Sequence, residues 1–177
     1  ANIVKLLAKT GYLASDKRTG TAKRLLETSQ FLFNMMREDC FEHNSVGLKH
    51  ILKVRFIHAM VRHHLHKHKW DVQSRGLPIN QEDMSMTILT FSVGAIKGLE
   101  RMNIALSRAD KDAFVHYWAV IGHIIGVDDT INPTTYMEGE KHYENILLHQ
   151  AKACPEGIES GYLVLLSSYR MHQSFFG

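Results

Sequence analysis

Apolar residues recur every three or four positions along almost the whole chain, and only three prolines interrupt the pattern. That spacing gathers apolar side chains on one face of an α-helix and does not fit the two-residue alternation of a strand. Ala22, Leu25, Leu26, Ser29, Leu32, Phe33 and Met36 follow it and predict a helix from about Thr21 to Cys40. Asn44-Ser45-Val46-Gly47 reads as a break. A long helix follows over about Leu48–His68, with Ile51, Leu52, Phe56, Ala59, Val61 and Leu65 as packing positions. Gly76 and Pro78 mark a connection from Trp70 to Asn80, and Asn80 is placed to cap the next helix. Glu82 and Asp83 in its first turn complement the helix dipole, and Met84, Ile88, Phe91, Ala95 and Met102 carry its apolar side. Ser107-x-x-Asp110 predicts a capping-box variant, followed by a face of Phe114, Tyr117, Trp118, Ile121, Ile124 and Ile125. After Pro133, two further helices fit, over about Thr135–Ala153 and Glu156–Gln173, separated by Cys154-Pro155. The expected fold is all-α, a single-domain bundle of about six to seven helices over residues 1–177.

Composition narrows the function classes. An apolar fraction of 45% and a charged fraction of 22% suit a globular core rather than a disordered chain. The net charge is only +3, and the basic residues are spread and interrupted by carboxylates, which argues against a nucleic-acid partner. Cys40 and Cys154 form no C-x-x-C pair, so no disulfide scaffold is indicated and a reducing compartment is favoured. No apolar run approaches the roughly 18 residues of a membrane-spanning helix. The lysine-broken start Ala1–Lys9 does not read as a signal peptide. Twelve histidines are the outlier, and they direct attention to metal and cofactor ligands.

On the long helix, Ile51, Arg55, His58, Arg62 and Leu65 fall within about 40° either side of one line. Two arginines on an otherwise apolar seam require partners. One reading gives them Asp or Glu of neighbouring helices and makes His58 a hydrogen-bonded core residue. Another gives them the propionates of a haem, with His58 as the axial ligand, because guanidinium and carboxylate pair by charge-assisted hydrogen bonds. On the preceding helix Arg24, Glu27 and Thr28 share a face by their spacing, either as a solvated surface or as the opposite wall of a cofactor.

Val54-Arg55-Phe56-Ile57-His58-Ala59-Met60-Val61-Arg62 resembles the signature helix of the rubber oxygenase family, which includes latex clearing proteins and the ER-bound oxygenases of fungal meroterpenoid pathways. The similarity continues in order through Trp70-Asp71, Gly76-x-Pro78-Ile79-Asn80-Gln81-Glu82-Asp83, Thr90-Phe91-Ser92, Tyr117-Trp118, Gly122 and Gly126-Val127-Asp128-Asp129, over about residues 21–133. The resemblance implies an all-helical fold holding a non-covalent haem b, with His58 as the iron ligand and Arg55 and Arg62 beside the cofactor. It also implies an apolar, isoprenoid-like substrate and O₂. The Arg-x-x-Lys-Thr segment of latex clearing proteins corresponds to Arg24-Leu25-Leu26-Glu27-Thr28, so Glu27 stands where a distal lysine would be. Arg24, Glu27 and Thr28 are therefore the residues expected to shape the distal, catalytic side.

A second function class is a non-catalytic helical subunit of a larger assembly that retains the family fold. A third is metal binding through the cluster His63, His64, His66 and His68, where His64 and His68 have chelating i, i+4 spacing. Exposed histidines favoured at a helix C-terminus explain that cluster equally simply. His116 and His123 share a face beside Trp118 and could line a pocket.

Overall fold

A computed structural model describes residues 19–150; the expected Glu156–Gln173 helix and Cys154 lie outside the described residues. Those described form helices joined by turns and short irregular segments, with no strand among them, as the apolar spacing requires. The described residues fall in two compact units, one ending at His50 and one beginning at Ile51.

In the first unit, α1 spans Thr19–Met35 and ends short of the expected Cys40. The segment that follows trades helix for successive turns, Cys40 N to Arg37 O at 3.1 Å and Glu42 N to Asp39 O at 3.0 Å. Arg37 holds Asp39 at 2.8 Å, a pairing across two residues that a helix would direct to different sides. Ser45 then starts α2 (Val46–Lys67): its hydroxyl donates to Cys40 O at 2.6 Å and accepts from Leu48 N at 3.0 Å. Gly47 permits this corner, because a Cβ there would lie 2.6 Å from Cys40 Sγ. Asn34 and His50 join α1 to the first turns of α2 at 2.9 Å.

The second unit contains the rest of α2 and α3 (Val72–Arg75), α4 (Gln81–Leu89), α5 (Ala95–Arg101), α6 (Arg108–Ile125) and α7 (Tyr136–Gln150). Asn80 caps α4 as expected, accepting from Asp83 N at 2.8 Å, and Ser107 caps α6, accepting from Asp110 N at 3.1 Å. The single helix anticipated from Asn80 to Met102 is instead interrupted by a π-helical turn at Thr90–Gly94. The hydroxyls of Thr87, Thr90 and Ser92 each donate to a carbonyl four residues back, at 2.8, 2.8 and 3.0 Å. Such back-bonding competes with the backbone ladder and loosens it where the π turn forms.

Leu89, Val93, Ile96, Val115 and Ile146 form the core of this unit, with Met86, Leu106, Phe114, Tyr136 and Tyr143 packed around it. Gly139 lets α7 close on α4 and the π turn, since a Cβ there would meet Val93 Cγ2 at 3.0 Å. Asp112 of α6 accepts from Tyr136 N at 2.8 Å at the start of α7. Lys97 joins α5 to α7 through Glu140 at 2.7 Å and Glu144 at 3.0 Å. Tyr136 donates to Glu140 at 3.2 Å, and burial followed by neighbouring carboxylates pushes its hydroxyl up to about 12.

Several packing expectations for α1 and α2 fail. Leu52, Phe56 and Ala59 were placed in the core by spacing, yet all three are exposed, Phe56 at 65%. Phe33 and Met36 are exposed as well. In α2 the buried apolar residues are Ile51 and Leu65, on the side that also carries the half-buried His58 and Arg62, so this side packs inward while Arg55 stays exposed. No helix among the described residues is long and apolar enough to cross a membrane.

Gly122 of α6 lies beneath Asn132, whose amide donates to Ala119 O at 2.8 Å in a buried position. An added Cβ would stand 2.8 Å from Asn132 Oδ1. Gly122→Ala is expected to lower unfolding stability by about 1–3 kcal/mol, the usual cost of overpacking, as measured by urea denaturation.

Candidate functional site

Arg55, His58 and Arg62 project from consecutive turns of α2, and the structure gives each a separate environment. Arg55 Nη1 donates to Ile124 O at 2.7 Å. Ile124 lies in the last turn of α6, where carbonyls lack intrahelical partners and a positive charge complements the dipole. Arg62 Nη1 donates to Ile79 O at 3.3 Å. Ile79 has φ +51°, a left-handed conformation rare for a β-branched residue, and it immediately precedes the Asn80 cap of α4.

Neither arginine makes the Asp or Glu pairing of the first expectation among the described residues. Both meet backbone carbonyls rather than Asp or Glu side chains. A guanidinium has five N–H donors, and one bond to a carbonyl leaves others to receive an anion.

Between them, His58 is half-buried, and its Nδ1 is wholly buried with no hydrogen-bond partner. Burial, and secondarily the Arg62 charge, push the imidazolium below its ordinary value of 6.5. Both effects favour the neutral ring, which is the form that binds a metal. A buried nitrogen without a partner is uncommon in a folded protein and calls for a specific cause, an unfilled ligand role among them. Trp118 Nε1 and His142 Nε2 are also buried without partners, and Trp118 stacks on Phe91 of the π turn at 5.3 Å.

The end of α6 is a fastened corner. Gly126, at φ +106°, closes the helix with Gly126 N to His123 O at 3.0 Å and Val127 N to Gly122 O at 2.9 Å. Arg55 lies against Gly126, where a Cβ would meet its guanidinium carbon at 3.6 Å. Gln81 spans the corner from α4: its amide donates to Gly126 O at 3.1 Å and its carbonyl accepts from Asp128 N at 2.8 Å. Ser85 adds a bond to Ile131 O at 2.6 Å. Gln81 and Ser85 were not singled out as site residues from sequence, although Gln81 stands inside a motif segment beside the Asn80 cap. His123 turns to Asp129 at 2.8 Å, and both it and His116 are exposed rather than lining a pocket.

Arg24, Glu27 and Thr28 fall on α1, in the first unit, while Arg55, His58 and Arg62 belong to the second. Glu27 and Thr28 are exposed, and Glu27 lies 4.0 Å from Lys23 one turn back. Among the described residues no group of three or more His, Cys, Asp or Glu could hold a metal ion. A haem iron needs only one protein ligand, and the buried, unpartnered Nδ1 of His58 belongs to a ring of the kind such an iron takes.

The family model described as the catalytic domain of ER-bound oxygenase mpaB/B′/rubber oxygenase matches residues 4–173. The chain belongs to this family. It is 26% identical over 137 residues to a rubber oxygenase of Streptomyces sp. (strain K30), covering 76% of this chain and 34% of the relative. It also resembles the structure of latex clearing protein LCP in the closed state, with a TM-score of 0.69 and 25% identity, covering 82% of this chain and 40% of that one. The chain therefore spans about a third of the length of its curated rubber oxygenase relative.

In this rubber-oxygenase family member, Gln81 contributes two hydrogen bonds to the corner at Gly126–Asp128. Gln81→Ala is expected to lower stability by about 1 kcal/mol, given the exposure of the site. Amide hydrogen exchange should quicken at Asp128 ahead of the α6 interior, and unchanged exchange at Asp128 would contradict this role.

Proposed function

We propose that this chain binds a haem b through His58 and serves an oxygenase acting on an apolar, isoprenoid-like substrate with O₂. The observation that carries this reading is the buried, unpartnered Nδ1 of a His58 ring held toward its neutral form on the family's signature helix. A neutral imidazole offers one lone pair for the iron and one N–H for a hydrogen bond, so no proton need leave the ring before ligation. Bound there, the haem would supply the centre at which O₂ is bound and activated.

The protein's part is to hold and orient. Arg55 and Arg62 anchor α2 through the carbonyls of Ile124 and Ile79, which supports a fixed direction for His58 between them. Their remaining N–H groups are the donors we assign to the propionates. Arg24, Glu27 and Thr28 are assigned to the distal side. Glu27 in place of a lysine supplies no cationic amine there, and its carboxylate can accept a proton. The fit to isoprenoid-like substrates rests on family membership, with the rubber oxygenase and the latex clearing protein as its named relatives.

Protein produced with haem supply, or titrated with hemin, should show a Soret band at a 1:1 ratio. His58→Ala should abolish or shift that band, whereas His142→Ala, which alters another buried and unpartnered imidazole, should preserve it. A preparation that hemin cannot colour, or a His58→Ala spectrum identical to the parent's, would overturn the assignment. Oxygen uptake with short polyisoprenoids then tests the reaction itself.

A further inference from the structure

The C-terminal end of α2 carries His63, His64, His66 and His68, none of which the proposed haem role uses. His64 and His68 are both exposed. Their rings stack with centroids 4.0 Å apart and planes inclined by 29°. Helical geometry continues just past Lys67, with His68 N bonding to His64 O at 3.1 Å and Leu65 O at 3.2 Å. The two imidazoles therefore share one face; stacked rings hold their in-plane lone pairs nearly parallel, so one exposed ring turns about its side-chain bonds for both to meet a single ion.

A second contact fixes how His68 presents itself. Its Nδ1 lies 2.8 Å from His64 O. A carbonyl only accepts, so in the neutral ring Nδ1 carries the proton and Nε2 keeps its lone pair. An outer hydrogen bond of this kind sets the tautomer and orientation of ligating histidines.

We propose that His64 and His68 form a surface site for a divalent transition-metal ion of the imidazole-binding class, with Cu²⁺ the preferred ion and water completing its coordination. Two imidazole ligands select Cu²⁺, Ni²⁺ and Zn²⁺ over Mg²⁺ and Ca²⁺, which require oxygen donors, and Cu²⁺ leads the affinity order. Among the described residues no group of three or more His, Cys, Asp or Glu could hold a metal ion, so the proposed site has two protein ligands and water completes it. The negative end of the α2 dipole favours a cation there, while Lys67 and Lys69 oppose it. The site is independent of the haem assignment.

The test is titration of the full chain with Cu²⁺, followed by calorimetry and electron paramagnetic resonance, with Mg²⁺ as competitor. The parent should bind one Cu²⁺ in a signal showing imidazole nitrogen coupling, and Mg²⁺ should not displace it. His64→Ala and His68→Ala should each weaken binding by about 10–100-fold, at least the effect of losing an outer-shell partner. His63→Ala should leave it unchanged. Both residues are exposed, and helical circular dichroism of each variant checks that folding is intact. Equal Cu²⁺ affinity in the parent and the two single variants would overturn the proposal, as would a loss in His63→Ala matching that in His64→Ala.

Discussion

The unit built from residues 51–151 depends on how the C-terminal corner of α6 is held. Gly126 alone ends the helix, but it leaves carbonyls facing outward and a loop that must turn toward α4. Arg55 occupies one of those carbonyls from α2, and Gln81 takes both a carbonyl and an amide of the corner from α4. Asn132 folds back onto Ala119, and Gly122 makes room for it. Three helices thus meet at one short stretch of backbone, where Arg55 and Gln81 engage main-chain groups at or beyond the helix end.

The same arrangement explains why α2 runs against ordinary amphipathic packing. Its inward side carries His58 and Arg62 between Ile51 and Leu65, with Arg55 on the same side but exposed, while Leu52, Phe56 and Met60 face outward. Each guanidinium finds a carbonyl acceptor, one at a helix C-terminus and one at the left-handed Ile79. His58 sits between these anchors with its Nδ1 unsatisfied. A helix turned this way spends its polar face on neighbours and on one imidazole, an arrangement better suited to holding a ligand than to maximising apolar burial.

Much of this is legible in the amino-acid sequence alone. Helical spacing predicted the all-α fold, and the caps at Asn80 and Ser107 are where their side chains suggested. The common face of Arg55, His58 and Arg62 follows from helical geometry alone. What those residues touch does not, because Ile124 and Ile79 act through backbone carbonyls, which carry no residue-type signal. The same limit hid Gln81, whose two partners are main-chain groups of Gly126 and Asp128. The π turn escaped notice because apolar periodicity does not register the hydroxyls of Thr87, Thr90 and Ser92 competing for carbonyls. The exposure of Leu52 and Phe56 leaves no mark in the spacing, because periodicity groups residues on a face without saying which face of α2 packs inward.

The central claim is that the unpartnered imidazole of His58 is the iron ligand. A crystal structure of the hemin-loaded protein tests it most directly. The account predicts a ring nitrogen of His58 bonded to the iron, with Arg55 and Arg62 flanking it on the same helix. A haem ligated by another side chain, or His58 left away from the iron in the loaded protein, would contradict it.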